Sequence, residues 1–508
     1  MEQRAVFLQT TRAIHYLIAW LYNWTRHFFT EDGTSDSIAI ADLQRRSVWI
    51  GIALIFQGLN EGFLDWPFLN HLPFSSLFTF VLLVGSFVAM FIALRPATLQ
   101  QRVQYAQRRA RPWQRVTLVL TTSLLIATAI YASIDLVMCF QGPQFTNDGT
   151  SLDTNAAMLL VEGRNPYTDS NMLDLARKFP IEPNWTTPLQ QGQFAHYTHY
   201  PNPTDFKTVL DTDLKAGTAP EFESKVSYPS LSFLTLVPFA LFHSYNVLPF
   251  YLLSYLLLVF IAMKVARPEM RPWVLLFSLE NVPMIVSAGG GNLDIFYTLL
   301  IVLTWLLRDR RWASALFLGL ALSSKQLAWF FIPFYVIMVF RHYGLKENIA
   351  RLTIAGSVAL AFNLPFILWN PQAWIAGVLA PVVDPMFPMG IGIVNLSLNH
   401  LIPLLPKTVY TLLEAGVMLV VLVWYWPLCK KHPEAAMLLA VLPLFFAWRS
   451  LSSYFYCAAY PLFVLMVAKI PASRQTEVTE VQEMPGSLAQ ITAQKNVTEL
   501  SGIPTSLA

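Results

Sequence analysis

One lysine of this chain lies in the middle of an apolar segment. Residues 312–340 are almost wholly apolar, and Lys325 stands among them in the sequence Ser-Ser-Lys-Gln. Arginines precede the segment, and Arg341 and Lys346 follow it. Because Lys and Arg mark the cytoplasmic side of a membrane protein, the pattern predicts a tight hairpin with Lys325 at its outer tip. A cation at that position is costly, and it suits an anionic ligand such as a lipid phosphate.

Several other polar residues fall on the same predicted side as Lys325. They are Asp148, Asp153, Tyr228, Asp294 and Arg449. The loops predicted for the opposite side are short and basic. This one-sided grouping predicts an active site that opens outward and receives its substrate from the membrane.

Each charged residue of this group also has a simpler interpretation. Asp148 stands in Asn-Asp-Gly, which is ordinary turn chemistry, and Asp153 precedes a helical stretch as a helix N-terminal acid would. Asp294 can cap the helix that it opens, and Arg449 can cap a helix end. Lys325 can extend along apolar surface to the membrane interface.

The composition is that of a polytopic membrane protein. Hydrophobic residues make up 55% of the 508 residues and charged residues only 13%, with a net charge of +3. These values exclude an ordinary soluble domain, and no nucleic-acid patch is evident. Cys139, Cys429 and Cys457 are widely spaced in or beside apolar runs, so we interpret them as small apolar residues. His196 and His199 lack an evident third ligand, and we predict neither a metal nor a cofactor.

The apolar segments and basic loops together predict about 12 transmembrane helices. The stretch 95–115 has six arginines and no acid, which predicts a cytoplasmic location. The polar segment 140–229 is then an extracytoplasmic loop, and its aromatics and prolines favour an ordered, functional one. The apolar segment 230–242 is too short to span the bilayer and has a central proline, which predicts a juxtamembrane helix.

Several short motifs occur in order along the chain. They are Asn147-Asp148 with Asp153, Gly163-Arg164-Asn165-Pro166-Tyr167, Tyr228-Pro229-Ser230-Leu231, Gly291-Asn292-Leu293-Asp294 and Ser324-Lys325. None is specific alone. In this order they resemble the polyprenyl-phosphate-dependent glycosyltransferases of the GT-C superfold, and most closely glycosyltransferase family 87, the mannosyltransferase family.

The resemblance covers about 116–470 and implies an all-α, GT-C-like helix bundle with a large first extracytoplasmic core loop and juxtamembrane helices. Residues 1–115 are then an addition that holds an amphipathic N-terminal helix, two spans and the basic linker. Residues 471–508 are predicted to be a disordered cytoplasmic tail.

The resemblance also implies an inverting glycosyltransferase that moves a sugar, with mannose expected, from a polyprenyl-phosphate donor to a lipid or glycan acceptor. In the family an acid of the first outer loop is the general base, and this role corresponds best to Asp148, with Asp153 as the second candidate. Lys325 and Arg449 are predicted to bind the donor phosphate. The substrate-binding candidates are Tyr167, Tyr228, Asn292, Asp294 and Gln326. We expect a bacterial plasma membrane protein whose active site faces outward.

Two departures from the family pattern leave the donor sugar and the acceptor open. Ser230 replaces the second proline of the Tyr-Pro-Pro-Leu element, and Asn292 stands where the family's turn has glutamine. Two other classes also stay open. A transporter or flippase would have polar residues strung through the bilayer and an internal repeat, and neither is clear here. A degenerate scaffolding relative would not need an intact acid–lysine pair, so the decisive observation is whether Asp148 and Lys325 face one cavity.

Overall fold

The computed structural model describes residues 37–65, 75–95, 147–179 and 186–468, together with isolated helical residues between 123 and 141. Within these ranges the chain is mostly α-helical, as predicted. The predicted N-terminal amphipathic helix, most of the basic linker and the predicted tail lie outside the described residues.

Two long helices and four shorter ones come first. They are α1 (Ser37–Asp65), α2 (Ser75–Leu94), α3 (Asp148–Val161), α4 (Pro166–Asp169), α5 (Met172–Lys178) and α6 (Pro203–Ala216). Each of the four shorter helices begins after an asparagine whose side chain accepts a hydrogen bond from a backbone N–H of the first turn. This capping satisfies donors that a helix start otherwise leaves unpaired. The segment after residue 146 is therefore a folded helical unit.

The next helices form the segment that the sequence predicts to lie beside and within the membrane. They are α7 (Leu231–Leu234), α8 (Val237–Leu241), α9 (Leu248–Val265), α10 (Arg271–Glu280), α11 (Val282–Gly289) and α12 (Leu293–Leu306). The predicted juxtamembrane helix is thus two short helices, because Pro238 occupies the first turn of α8. The predicted span 273–288 is a pair, α10 and α11, bent by 62° at Asn281.

The lysine hairpin has the predicted form. Its arms are α13 (Arg311–Ser324) and α14 (Ile332–Tyr343), which a 3-10 turn at Gln326–Phe331 connects. Lys325 lies between α13 and this turn with an extended backbone. The position of the lysine at the break between two helices follows the sequence prediction.

The last elements include a small sheet. They are α15 (Leu345–Trp369), α16 (Pro371–Val383), β1 (Met389–Gly390), α17 (Ile393–Leu398), α18 (Lys407–Leu428), α19 (Ala436–Leu439), β2 (Arg449–Ser450) and α20 (Ala459–Val467). The two strands are parallel, with Met389 opposite Arg449 and Gly390 opposite Ser450. Arg449 therefore lies in a strand, and the interpretation that it caps a helix end is wrong.

Among the described residues, four helices are long and apolar enough to cross a membrane: α2, α9, α15 and α18, with the bent pair α10–α11 as a fifth. These helices support an integral membrane protein, while the predicted number of about 12 spans is not confirmed. Several predicted spans are short, and α12 and α13 have 14 residues each. Such a helix is about 21 Å long, against a hydrocarbon core of about 30 Å.

Close helix packing fixes the position of the lysine hairpin. Gly319 of α13 lies so near α15 that a Cβ atom built on it would stand 2.6 Å from the carbonyl oxygen of Ala355. Real Cβ atoms do not approach an oxygen so closely, so this contact requires glycine. The contact sets the distance between α13 and α15 and therefore the position of Lys325 at the end of α13.

Candidate active site

The start of α3 is attached to the turn that precedes α12. Asn147 caps α3, and its side-chain Nδ2 donates to the carbonyl oxygens of Gly290 and Gly291 at 3.4 and 3.3 Å. Thr150 Oγ1 donates to the same Gly291 oxygen at 2.6 Å. Gly291 has a φ of +76°, a conformation that favours glycine. This turn places the first-turn acids of two helices, Asp148 and Asp294, at one end of the bundle.

Asp148 is half-buried and its carboxylate is held at both oxygens. Oδ1 accepts from the backbone N–H of Gly149 at 2.8 Å, and Thr187 Oγ1 donates to Oδ2. The carbonyl oxygen of Thr187 accepts in turn from the backbone N–H of Glu223 at 2.8 Å. The contacts from Gly149 and Thr187 fix the orientation of the Asp148 carboxylate, and Asp148 also lines a cavity.

Lys325 forms a buried ion pair with Asp294. The distance from Lys325 Nζ to Asp294 Oδ1 is 2.5 Å, and the two residues are only 7% and 1% exposed. The ammonium also lies 5.1 Å from the ring centroid of Tyr228 and 6.0 Å from that of Tyr454, which are cation–π distances. The ammonium of Lys325 is thus held by a buried carboxylate and two aromatic rings instead of extending along apolar surface.

The simpler interpretation of Asp294 is also wrong. Asn292 caps α12, since its side chain accepts from the backbone N–H of Asp294 at 2.9 Å. The carboxylate of Asp294 is instead available to Lys325, and its second oxygen has no hydrogen-bond partner among the described residues.

A cavity of about 380 Å³ collects most of the predicted site residues. Those that line it are Asp148, Tyr228, Asn292, Asp294, Lys325, Gln326 and Arg449. Asp148 and Lys325 therefore face one cavity. Its walls come from the starts of α3, α12 and α18, the ends of α13 and α16, and the chain around β2.

Two predicted site residues do not line this cavity. Asp153 lies in the second turn of α3, fully buried, where Ser232 Oγ donates to its Oδ1 at 2.8 Å. It is therefore not a helix N-terminal acid, because Asp148 occupies that position. Burial raises the pKa of Asp153 to about 7. The hydroxyl of Tyr167 donates to the carbonyl oxygen of Tyr228 at 2.8 Å, so Tyr167 supports a cavity residue from behind.

Arg449 enters the cavity from β2. One of its terminal nitrogens donates to the sulfur of Met386 at 3.0 Å. No carboxylate within ion-pair distance of its guanidinium was found in the described part of the chain, although Asp148 and Glu223 interact with it electrostatically over longer range. The guanidinium keeps donor capacity for a ligand.

The side-chain amide nitrogen of Gln326 is hydrogen-bonded to the protein backbone. Its Nε2 donates to the carbonyl oxygens of Ser227 at 2.5 Å and Val378 at 2.8 Å. These bonds connect the turn after Lys325 to the segment before α7 and to α16. Gln326 lines the cavity while its amide nitrogen positions the neighbouring lysine.

Sequence reasoning missed several cavity residues, of which Glu223 and Lys407 matter most. Glu223 is buried, and its Oε1 has no hydrogen-bond partner within the described ranges. Burial, and then the negative charge of Asp148, raises its pKa to about 8. No local signal separates Glu223 from the other acids of its segment. Lys407 had a signal, because it is a basic residue at the predicted outer end of a span.

The described residues contain no group of three His, Cys, Asp or Glu side chains that could hold a metal ion. His196 and His199 therefore have no third ligand of these types in the described chain. The cavity chemistry is that of acids and cations.

These features define a class: a helical membrane protein with acids and cations gathered in a cavity at one end of its bundle. Residues 227–448 match the family model of glycosyltransferase family 87. The match confirms the resemblance seen in the sequence and indicates a glycosyltransferase. No curated protein and no solved structure matches this chain.

Proposed function

We propose that this protein is an inverting glycosyltransferase that moves a sugar, with mannose as the expected one, from a polyprenyl-phosphate donor to a hydroxyl of a lipid or glycan acceptor. The observation that carries the proposal is that Asp148, Lys325 and Arg449 line one cavity. A base and fixed cations in one enclosed space are what such a transfer needs.

Asp148 is the proposed general base. Its carboxylate takes the proton of the acceptor hydroxyl while the acceptor oxygen bonds to the anomeric carbon of the sugar. The bond between that carbon and the phosphate oxygen breaks, and its electron pair leaves with the polyprenyl phosphate. Attack opposite to the leaving group inverts the anomeric configuration. The contacts from Gly149 and Thr187 hold the carboxylate in orientation before the acceptor arrives.

The cations are proposed to stabilise the charge that develops on the leaving phosphate. Arg449 has donor capacity toward the cavity, and Lys325 is held in position by Asp294. Preorganised charges in a site with little water stabilise a transition state without reorganising during the reaction. Such stabilisation makes a lipid monophosphate a tolerable leaving group without a metal ion.

The site is proposed to face the extracytoplasmic side. The cavity lies where α12 starts and α13 ends, whereas the opposite ends of these helices meet Arg308, Arg310 and Arg311. Lys430 and Lys431 follow the far end of α18 in the same way. Basic residues prefer the cytoplasmic side, which supports an outward cavity in a bacterial plasma membrane.

Replacement of the base tests the proposal. Asp148→Asn should lower turnover with a radiolabelled polyprenyl-phosphate sugar by roughly 10²- to 10⁴-fold, because the amide cannot accept the proton. The protein is assayed in nanodiscs with donor binding measured in parallel, and binding should stay near the wild-type value. Asp211→Asn is the matched control, since Asp211 is an exposed acid of α6.

Three outcomes are informative. Wild-type turnover in the Asp148→Asn protein would remove Asp148 from the mechanism, and Asp153→Asn is then the next variant. Absence of sugar transfer by the wild-type protein, together with movement of the lipid-linked sugar across proteoliposomes, would favour a flippase. Full loss in the Asp211→Asn control would show that the assay reports folding rather than catalysis.

A further inference from the structure

The cations of the cavity differ in how their charge is balanced. The ammonium of Lys325 is paired with Asp294 at 2.5 Å, so this pair has no net charge to offer an incoming anion. Arg449 and Lys407 also line the cavity, and neither forms an ion pair within 4.0 Å in the part of the chain that the structure describes. The cavity thus has two cations outside any direct ion pair, although Asp384 attracts Lys407 over a longer range, as Asp148 and Glu223 attract Arg449.

Lys407 opens α18 and lies beside the end of α16. Its Nζ donates to the carbonyl oxygens of Val382 at 2.5 Å and Asp384 at 3.3 Å. An ammonium has three N–H donors, so one is left for the cavity that Lys407 lines. Lys407 and Arg449 line the same cavity and repel each other electrostatically, and an anion bound in that cavity would relieve this repulsion.

This part of the cavity lies at an apolar rim. Val382 lines the cavity and is yet 66% exposed, so it marks an opening. Val383 and Leu412 are also large exposed apolar side chains on α16 and α18. Helix α18 is a candidate membrane span whose surface is mostly exposed. In a bilayer this surface contacts lipid, and a hydrocarbon chain that leaves the cavity here enters the membrane directly.

We propose that Lys407 and Arg449 bind the phosphate of a lipid-linked phosphate at this rim, with the lipid chain leaving between α16 and α18. The inference rests on the proposed function and assigns the donor phosphate to two named cations. In the binding step Lys325 then acts mainly as the partner of Asp294, and its proposed contribution to the leaving phosphate comes only as the bond to the sugar breaks. The ligand class is a long-chain lipid monophosphate, with or without its sugar.

Lys407 also fits a structural role, and one acid lies further along its helix. The bonds of Lys407 to the end of α16 are also those of a lysine that caps a helix C-terminus, and such a cap needs the charge but no ligand. Glu414 lines the cavity two turns further along α18, about 10 Å from Lys407 along the helix axis. It is therefore separated from the phosphate that Lys407 would hold.

Ligand binding without catalysis tests this inference. Purified full-length protein in nanodiscs is titrated with a short-chain polyprenyl monophosphate, the corresponding polyprenol and inorganic phosphate. The wild-type protein should bind the lipid phosphate, and the other two probes at least tenfold more weakly. Lys407→Met and Arg449→Met should each weaken lipid-phosphate binding roughly 10- to 100-fold, the value of a charge-assisted contact. Lys407→Arg should bind within about threefold of wild type, since it keeps the charge.

Matched variants separate binding from folding. Lys430→Met makes the same change at an exposed lysine beyond the other end of α18 and should leave affinity unchanged. If Lys407→Met does not fold, the Arg449→Met and Lys407→Arg titrations still decide the question. Wild-type affinity in the folded Lys407→Met or Arg449→Met protein overturns the inference, as does equal affinity for inorganic phosphate, which would exclude a lipid-specific site.

The outcome is distinct from that of the proposed function. Lipid-phosphate binding through Lys407 and Arg449 without any sugar transfer would contradict the proposed function and support this binding site. Sugar transfer by the wild-type protein, with unchanged lipid-phosphate affinity in both Met variants, would support the proposed function and contradict this binding site.

Discussion

A charge cluster at one end of the helix bundle and the charges of the cavity at the other end differ in how completely they are paired. At the end opposite the cavity, Glu347 lies between two arginines, with Arg351 Nε donating to it at 2.8 Å and Arg311 bonding from the other side. Arg351 also donates to the carbonyl oxygen of Arg308. At the cavity end, one oxygen each of Asp294 and Glu223 is buried without a hydrogen-bond partner among the described residues.

We interpret the difference through the proposed function: the fully paired charges stabilise the fold, and the incompletely paired charges of the cavity bind the substrate. Buried polar groups in folded proteins are almost always hydrogen-bonded, so each exception calls for an explanation. The Arg311–Glu347–Arg351 cluster is internally satisfied and connects the start of α13 to the start of α15. The cavity groups are incompletely satisfied in the same molecule, and a substrate with hydroxyls and a phosphate would complete them.

The largest effect should come from breaking the ion pair at the cavity end. Lys325→Met leaves the Asp294 carboxylate buried and unpaired, which should lower the free energy of unfolding by roughly 3–5 kcal/mol. Lipid-phosphate affinity should also fall, because an uncompensated anion now faces the ligand. Thermal unfolding and lipid-phosphate titration measure the two effects.

The double variant Lys325→Met/Asp294→Asn sharpens this result. If Lys325 serves mainly as the partner of Asp294, neutralising both should restore most of the stability and the phosphate affinity. If Lys325 itself holds the phosphate, stability should recover while affinity stays low. The second result would return Lys325 to the role that the sequence predicted for it.

The opposite end should respond in stability but not in turnover. Glu347→Gln leaves the buried guanidinium of Arg351 without its carboxylate and should cost roughly 1–3 kcal/mol, less than a fully buried pair because Arg311 is exposed. Turnover per folded molecule should stay within about twofold of wild type. A tenfold loss of turnover in folded Glu347→Gln protein would contradict the distinction between the two ends.

Within any one pH unit, the smallest effect should be a change in pH dependence at Glu223. Its pKa is raised to about 8 in the folded protein, from an ordinary value of 4.5. The folded state therefore holds a proton that the unfolded state has lost, and the free energy of unfolding falls as pH rises from about 4.5 to about 8. The slope is at most about 1.4 kcal/mol per pH unit for one proton, and it levels off above pH 8.

Glu223→Gln should flatten this slope, because the amide does not titrate. Denaturation midpoints measured between pH 5 and pH 9 for both proteins check the prediction. An unchanged slope would mean that Glu223 is ionised in the folded protein, with Arg449 as its counter-charge. Both proteins share all other titrating groups, so the contributions of those groups to the difference in slope cancel to first order.

The sequence predicted the parts of the site that local pattern and order along the chain can reveal. The hairpin around Lys325 followed from basic flanks on an apolar segment, and Asp148 followed from its motif. The pairing of Lys325 with Asp294 was not predicted, because it depends on how α12 and α13 pack. Asn292, rather than Asp294, took the capping role, and both residue types are good caps.

Other features depend on contacts between distant parts of the chain. Arg449 lies in a strand because residues 389 and 390 pair with residues 449 and 450. A parallel pair of two-residue strands leaves no periodic pattern in the sequence. The burial of Glu223 is likewise set by tertiary packing. The bend between α10 and α11 had a signal in Pro283, since proline has no backbone N–H to donate and clashes with the carbonyl four residues before it, which breaks a helix in the preceding turn. The predicted number of about 12 spans is not confirmed, since four helices of full spanning length and one bent pair occur among the described residues.

The long separation along the chain between Asp148 and β2 has a consequence for biosynthesis. At about 5–20 residues per second, a ribosome adds Arg449 roughly 15–60 s after Asp148. By the end of this interval the nascent chain holds Asp148, the lysine hairpin and Asp294, which pairs with Lys325. Arg449 is added one residue beyond the segment 227–448, and other cavity residues such as Tyr454 follow it. A chain released just before Arg449 would retain nearly all of that segment and lack the arginine to which we assign phosphate binding.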